Sequence, residues 1–188
     1  MSAHFPLVAK GQLGYDTKQV DELIDLARSH FADPSGHLVT ASRLRNSQFA
    51  LVKGGYSISA VDAALDRLDD AFGVQEAQKQ IAVTGHHGLE AKVEHLIELL
   101  QGRVQRKAGN KFRKVPWFLR GYSPRQVDQL LNDVGGWLQS GSTGADRTER
   151  VVRLRSVVFK TKWGGYDEAQ VDAFIDRSVE LAQYQALV

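Results

Sequence analysis

Aspartates in regular pairs are the residues that most suggest chemistry in this chain of 188 residues. Three times an aspartate follows a valine and a second aspartate comes four residues later: Asp21 and Asp25, Asp62 and Asp66, Asp172 and Asp176. On a helix this spacing places both carboxylates on one face, an arrangement that general acid–base catalysis can use. A catalytic site repeated in so small a chain would be odd, whereas an aspartate near a helix N-terminus is stabilised by the helix dipole. We therefore interpret the pairs as structural and expect no catalytic residues.

Metal and nucleophile chemistry has little support in the sequence. Cysteine is absent, which excludes disulfides, cysteine-ligated metal sites and thiol nucleophiles. Histidines cluster once, at His86, His87 and His95, but a metal site also needs a third fixed ligand and ordered outer hydrogen-bond partners. The chain has no phosphate-binding glycine loop, nucleophile elbow or zinc-protease motif. We expect a protein that is not an enzyme and that uses no metal or cofactor.

Basic charge is concentrated in one segment of the chain. Lys and Arg number 24 against 22 Asp and Glu, a net charge of +2, so any site for a polyanion has to be local. Residues 103–114 contain six basic side chains and no acidic one: Arg103, Arg106, Lys107, Lys111, Arg113 and Lys114. A solvated linker or helix end is the plainest interpretation, with an anionic membrane surface as the alternative. Nucleic acid is disfavoured because no pattern of stacking aromatic residues accompanies the charges.

A short phrase, Gly-Tyr followed by Asp or Ser, recurs four times along the chain. Its glycine and tyrosine pairs are Gly14 and Tyr15, Gly55 and Tyr56, Gly121 and Tyr122, Gly165 and Tyr166. Five residues after each tyrosine comes Val-Asp, with the valines Val20, Val61, Val127 and Val171. The Asp or Ser is a good helix N-cap, and a glutamine three residues later completes a capping box in three copies. Each phrase therefore predicts the start of a helix.

Apolar residues continue at helical spacing after each of these valines, which predicts four amphipathic helices of roughly three to four turns. A further helix is expected from Leu89 onward. It follows a predicted break at residues 85–88, which read Gly-His-His-Gly.

The four phrases fall into two similar halves. Gly14 and Gly121 lie 107 residues apart, as do Phe5 and Phe112. Upstream of the second and fourth phrases stand two matching triplets, Arg43-Leu44-Arg45 and Arg153-Leu154-Arg155. We predict an all-α fold of four helix-loop-helix units in a tandem-duplicated pair. Residues 1–72 and 112–188 form the two pairs, and residues 73–111 form a helical connector.

The repeated phrase, preceded by Leu-x4-Phe at Leu44 to Phe49 and at Leu154 to Phe159, resembles the DivIVA domain of bacterial division and pole-organising scaffolds. The resemblance covers most of the chain outside residues 73–111, and it is closest to actinobacterial-type proteins built from DivIVA domain repeats. It implies a short helix, a loop that can touch membrane and a longer helix. The heptad run that typical members continue into a parallel coiled coil is missing here. Because family domains dimerise side by side, the resemblance also implies that a tandem can supply both partners within one chain.

The resemblance further implies a lipid-contacting loop just before Gly-Tyr, with an exposed aromatic residue and an arginine. The third copy matches best, through Trp117, Phe118 and Arg120, with Lys114 nearby. Trp and Phe bury at the headgroup boundary, while basic side chains attract anionic lipid. The fourth copy offers a weaker version, with Lys160, Lys162 and Trp163. The alternative is that Trp117 and Phe118 are buried and cover the hydrophobic core.

The sequence as a whole predicts a non-enzymatic DivIVA-like module for cell division or polar growth, at the cytoplasmic face of the membrane. The expected partners are division or cell-wall synthesis proteins and anionic lipid, with self-association left open. A soluble adaptor is the alternative. In it an apolar groove or a set of arginines contacts a protein partner: Arg43, Arg45, Arg153 and Arg155. The N-terminus lacks a basic and apolar leader and no segment is apolar enough to span a membrane, which favours a cytoplasmic location.

Overall fold

The structure is a computed structural model that describes residues 5–32, 43–44, 47–140 and 144–187. These residues are mostly helical. The helices of 13 residues or more are α1 (Thr17–Ala32), α2 (Ile58–Val104), α3 (Pro124–Ser140), α4 (Gly144–Ser156) and α5 (Glu168–Tyr184). Four strands of three residues each are β1 (Leu13–Tyr15), β2 (Leu51–Lys53), β3 (Arg120–Tyr122) and β4 (Thr161–Trp163).

The mostly helical fold confirms the helical character predicted from the sequence, and the short strands are an addition to it. β1 pairs with β2 and β3 pairs with β4, both antiparallel, so each repeated Gly-Tyr phrase contributes to strand pairing rather than to a loop alone. Local sequence does not reveal this pairing, because the partner strands lie more than 30 residues apart. The strands bring the segments before α1 and α2 together, and likewise those before α3 and α5.

The predicted helix-loop-helix units and connector are not separate elements here. α2 begins at the second phrase and runs for 47 residues through most of the predicted connector. Gly85 interrupts it, with φ 72° and ψ 179°, a conformation that is essentially restricted to glycine. The predicted break at residues 85–88 is thereby confirmed, although the chain is helical on both sides of it.

The chain divides into two compact units, Met1–Glu76 and Ala77–Val188. In the first unit, the described core has two parts. Val20, Ile24, Tyr56 and Val61 pack together in one cluster. Ala27, Leu44 and Phe72 form a second, smaller cluster.

The second unit has the larger core. The last turns of α2 supply Leu89, Leu96 and Leu100, which pack in one cluster with residues such as Val127 of α3 and Val171 of α5. Part of the segment predicted to be a connector is thus core-forming in this unit. Its buried stripe explains why the helical spacing after Leu89 was visible in the sequence.

The structure confirms two of the predicted helix N-caps, at Asp16 and Asp167, but not the capping boxes. Asp16 accepts the Lys18 and Gln19 backbone N–H groups, and Asp167 accepts that of Gln170. The predicted capping boxes are wrong. The Gln19 side chain instead accepts the Ala50 backbone N–H at 2.8 Å, so it joins the first turn of α1 to the residue before β2. Gln126 and Gln170 act alike, accepting from Lys160 and Arg113.

Candidate functional site

Backbone hydrogen bonds join the repeated phrases in pairs, the first with the second and the third with the fourth. The Tyr15 N–H donates to the Tyr56 carbonyl at 3.0 Å, and the Tyr56 N–H donates to the Tyr15 carbonyl at 2.9 Å. Tyr122 and Tyr166 exchange the same two bonds, at 2.9 and 2.8 Å. Within each unit the two tyrosines therefore form a reciprocal backbone bridge, in which each phrase supplies one donor and one acceptor to the other.

The tyrosine hydroxyls continue this exchange and account for the aspartates that follow the repeated valines. The Tyr56 hydroxyl donates to Asp21 at 3.2 Å, and the Tyr166 hydroxyl donates to the buried Asp128 at 2.9 Å. Burial, together with its hydrogen bond to Asp128, raises the pKa of Tyr166 to about 12. These carboxylates hold the bridge together, which gives the first aspartate after each of these valines a structural role.

The remaining two tyrosines lie beside the corresponding aspartates. Burial raises the pKa of Tyr15, and the nearby Asp62 adds to the effect. Burial, with the charge of Asp172 next in importance, raises the pKa of Tyr122 to about 12. Burial also raises the pKa of Asp172 itself.

The three clustered histidines lie on the surface of the second unit. His86, His87 and His95 are exposed, and His87 contacts Glu90 three residues away. Within the described ranges, no group of three or more His, Cys, Asp or Glu side chains is placed to hold a metal ion.

A β-turn just before β3 carries two aromatic side chains. The Leu119 N–H donates to the Pro116 carbonyl at 2.8 Å, so Trp117 and Phe118 occupy the two central positions of the turn. Trp117 is 82 % exposed and Phe118 is 57 % exposed. The alternative that these rings cover the hydrophobic core is therefore wrong, and they contact each other edge-on at 5.7 Å.

The end of β4 lies against this turn. The Gly164 N–H donates to the Leu119 carbonyl at 2.9 Å, and Trp163, 61 % exposed, pairs with Arg120 in the sheet register. The Arg120 guanidinium lies 5.3 Å from the centre of the Trp163 ring, within cation–π range. We call these neighbouring exposed side chains the aromatic tip: Trp117, Phe118, Leu119, Arg120 and Trp163.

The lysines predicted for this site are exposed but not all on the same side. Lys114 bridges to Tyr166 through its backbone, and Lys160 precedes β4. Because side chains alternate along a strand, Lys162 points away from the β4 face that carries Trp163. The structure thus groups Trp117, Phe118, Arg120 and Trp163.

The first unit has the same turn with different chemistry. The Gln12 N–H donates to the Ala9 carbonyl at 3.0 Å, which places Lys10 and Gly11 at the central positions. Leu13, at the position that corresponds to Arg120, is 54 % exposed. The first unit's turn therefore carries no aromatic side chain.

The four predicted partner-contact arginines differ in their surroundings. Arg153 donates to Asp133 of α3 and lies 5.8 Å from the Trp137 ring, so it joins two helices of its own unit. Arg155 is half-buried, and Arg43 is exposed. Arg45 lies outside the described residues.

Some features of the site were missed from the sequence. Leu119 is 49 % exposed in the middle of the aromatic tip, and its place within a Trp-Phe-Leu-Arg run was the available signal. Arg113 pairs with Asp167, the N-cap of α5, which anchors the segment that leads to the tip. That ion pair joins residues 54 positions apart, so local pattern gave no sign of it.

No protein-family model, curated protein or solved structure matches the chain. Among the described residues, no helix combines the length and the apolar character needed to cross a lipid bilayer.

Proposed function

We propose that the chain is a non-enzymatic, DivIVA-like module that attaches to the cytoplasmic face of a membrane through the aromatic tip. In this proposal the two sequence halves are copies of one module of two helix-loop-helix units. Its role is in cell division or polar growth, with division or cell-wall synthesis proteins as partners. The resemblance of the repeated phrases to DivIVA domains supports the process, and the exposed tip supports the attachment.

The observation that carries the proposal is the exposure of Trp117 and Phe118 at the centre of a turn. Leaving two aromatic rings in water forgoes the favourable burial of their apolar surface. At a headgroup boundary the rings gain an apolar environment, while Arg120, which pairs with Trp163, remains among anionic headgroups. A surface of this kind fits the interface rather than the interior of a bilayer.

The expected binding is weak for one copy of the tip. Each basic residue near an anionic surface adds about 1 kcal/mol, and the effect falls off within a Debye length. The affinity should therefore depend strongly on anionic lipid and on salt. Added salt should weaken binding without abolishing the contribution of the aromatic rings.

Co-sedimentation with vesicles tests the proposal. The wild-type chain is compared on anionic and on neutral vesicles with a Trp117→Ala, Phe118→Ala, Arg120→Ala variant. A matched control replaces the exposed Leu7 and Leu13 of the first unit by alanine, which removes apolar surface from residues that do not belong to the aromatic tip. The proposal expects the wild type and the control to pellet with anionic vesicles and the tip variant to remain in the supernatant.

Absence of binding by the folded wild type would overturn the membrane attachment. Because the substituted side chains are exposed, we expect the tip variant to fold. Circular dichroism and thermal melting check this. Binding that the tip variant retains in full would also contradict the proposal, because it would place the contact elsewhere. Either outcome would direct the search to the soluble adaptor and its protein partners.

A further inference from the structure

The basic segment of residues 103–114 contains side chains that serve the fold and others that face solvent. Lys111 is buried, and its Nζ donates at 2.6 Å to the carbonyl of the last residue of α2. Arg113 pairs with Asp167. Arg106, in contrast, is exposed and forms no ion pair with any described residue. Its charge is therefore available to a partner outside the chain.

Arg103, in the last turn of α2, lies against side chains that reach α5. Its guanidinium donates to the Lys111 carbonyl at 3.1 Å and lies 5.0 Å from the centre of the Phe112 ring. Phe112 contacts Phe174 of α5 edge-on, with ring centres 5.8 Å apart. Arg177 follows Phe174 by three residues, so it lies on the same side of α5, one turn further along. The packed rings thus bring Arg177 of α5 towards Arg103 of α2.

Arg106 completes a group of three arginines. Its N–H donates to the Arg103 carbonyl at 3.3 Å, which places it one turn beyond Arg103. Burial lowers the pKa of Arg103, and the positive charges of Arg106 and Arg177 lower it further. Among the described residues, no carboxylate forms an ion pair with any of the three. We call Arg103, Arg106 and Arg177 the arginine cluster.

The charge of the arginine cluster calls for an anion with several oxygens. Like charges held together without a counter-ion repel one another, and an anion that contacts all of them removes the repulsion. A phosphate monoester carries a charge of about −1.5 to −2 and has three strong acceptor oxygens. A carboxylate has a single charge and two oxygens, which one guanidinium can saturate. A phosphate monoester therefore matches three guanidiniums better than a carboxylate does.

The surroundings of the arginine cluster are unlike those of the aromatic tip. None of the exposed large apolar side chains that the structure describes lies within residues 101–112 or 170–181. Phe112 and Phe174 are buried, so neither ring is free to stack on a nucleic-acid base. The cluster thus lacks the apolar contacts that suit insertion into lipid and the exposed rings that suit single-stranded nucleic acid.

We propose that Arg103, Arg106 and Arg177 bind a phosphate monoester group. Arg106 and Arg177 supply exposed guanidiniums from two elements of the second unit. Arg103 keeps N–H groups beyond the one that the Lys111 carbonyl accepts. The inference is independent of membrane attachment, since none of the three arginines belongs to the aromatic tip.

Titration of the isotopically labelled full chain with glycerol 3-phosphate tests the site, without vesicles. Backbone amide and arginine Nε signals in NMR spectra report binding, and sodium chloride keeps the ionic strength constant. Acetate serves as the probe with one charge and two oxygens. We expect saturable shifts with a dissociation constant of about 1 mM or below, and acetate binding at least about tenfold weaker.

Substitutions of exposed arginines separate the site from the overall charge of the chain. Arg106→Gln and Arg177→Gln should each weaken the binding of glycerol 3-phosphate at least about fivefold, because each removes a charged donor. Arg125→Gln is the matched control, since it removes an exposed arginine of α3 that does not belong to the cluster. It should leave the affinity within about twofold. Thermal melting identifies any variant that fails to fold.

The same group also occurs in the headgroup of phosphatidic acid, and a second titration distinguishes this source from a free phosphate. Dihexanoyl phosphatidic acid is added as a monomer to the tip variant, so that the aromatic tip plays no part. Because the cluster has no exposed large apolar neighbour, we expect an affinity within about threefold of that for glycerol 3-phosphate. An affinity more than about tenfold higher, lost in Arg177→Gln, would support the site with a lipid headgroup as its ligand.

Three results would overturn the proposal. The first is the absence of saturable shifts with glycerol 3-phosphate up to about 10 mM. The second is an equal loss of affinity in Arg106→Gln and Arg125→Gln, since the overall charge of the chain would then explain the binding. The third is equal affinity for acetate and glycerol 3-phosphate, because the number of oxygens and charges would then play no part.

Discussion

At the scale of single residues, each tyrosine of the repeated phrase takes part in contacts at two points. Its backbone pairs with the other tyrosine of the unit, and its hydroxyl reaches or lies beside an aspartate that follows the other phrase's helix start. Upstream phenylalanines complete the exchange: Phe5 packs on Tyr56, and Phe112 packs on Tyr166. Three residue types at fixed spacing, Tyr, Asp and Phe, thus hold the two phrases of a unit together.

The glycine of the phrase is required by the closeness of the two backbones. A Cβ on Gly121 would lie 2.2 Å from the Tyr166 carbonyl oxygen, which cannot move aside without breaking the bridge. Gly121→Ala should lower the free energy of unfolding by about 2–3 kcal/mol, measured by urea denaturation.

Gly136→Ala is the matched control for Gly121→Ala. Gly136 lies in α3, and nothing lies within 4 Å of the position that a Cβ would take there. Alanine at this position should raise stability by about 0.5–1 kcal/mol, because it favours the helix. Similar effects of the two substitutions on stability would contradict the close approach of the Gly121 and Tyr166 backbones.

The raised tyrosine pKa values predict a loss of stability in alkali. Tyr122 and Tyr166 each have a pKa of about 12 in the folded chain against an ordinary value of 10.0. The folded state therefore holds these protons more tightly, so the stabilisation is complete below pH 10 and is lost as the pH rises towards 12.

Urea unfolding between pH 9 and pH 12 measures this loss. A Tyr122→Phe, Tyr166→Phe variant should be less stable at neutral pH and should lose less stability over the alkaline range. Parallel pH profiles of wild type and variant would contradict the assignment, since lysine titration alone would then explain the decline.

At the scale of elements, the features that depend on neighbouring residues could be predicted from the sequence, and those that join distant residues could not. The N-caps Asp16 and Asp167 and the apolar stripes of the helices depend on residues a few positions apart. These features were therefore predictable from the sequence. The strand pairs, the Gln19 contact with Ala50 and the aspartate–tyrosine bonds join residues more than 30 positions apart. The tip residues were predictable by type, whereas their exposure depended on the turn that Pro116 and Leu119 close.

The interruption of α2 predicts a substitution effect at Gly85. Alanine is strongly disfavoured at φ 72° and ψ 179°, so Gly85→Ala should cost about 1–3 kcal/mol of stability or straighten the helix there. Gly102→Ala, in the same helix with open space around its Cβ position, should be neutral or stabilising. Circular dichroism and urea denaturation distinguish these outcomes, and equal stability of the two variants without added helicity in Gly85→Ala would contradict the break.

At the scale of the whole molecule, the two units share a bridge and differ at the turn beside it. The first unit presents Lys10 and Gly11, and the second presents Trp117 and Phe118. Membrane attachment in this account belongs to the second unit alone.

A transfer of tip residues to the first unit tests this difference. Lys10→Trp with Leu13→Arg copies the aromatic ring and the arginine, and it leaves Gly11 in place, where φ is 91°. The double variant should increase vesicle binding in co-sedimentation, because it adds a second site with an aromatic ring and a basic side chain. Unchanged binding would show that the turn's aromatic content does not set the affinity.

Insertion of Trp117 into the lipid is the central claim, and fluorescence quenching by lipids brominated on the acyl chain tests it most directly. Trp137→Phe and Trp163→Phe leave Trp117 as the only tryptophan, since the chain has three. With anionic vesicles, the account predicts that Trp117 emission shifts to shorter wavelength and is quenched by the brominated lipid. Emission that stays as in buffer with lipid in excess, while the wild-type chain pellets with the same vesicles, would contradict it.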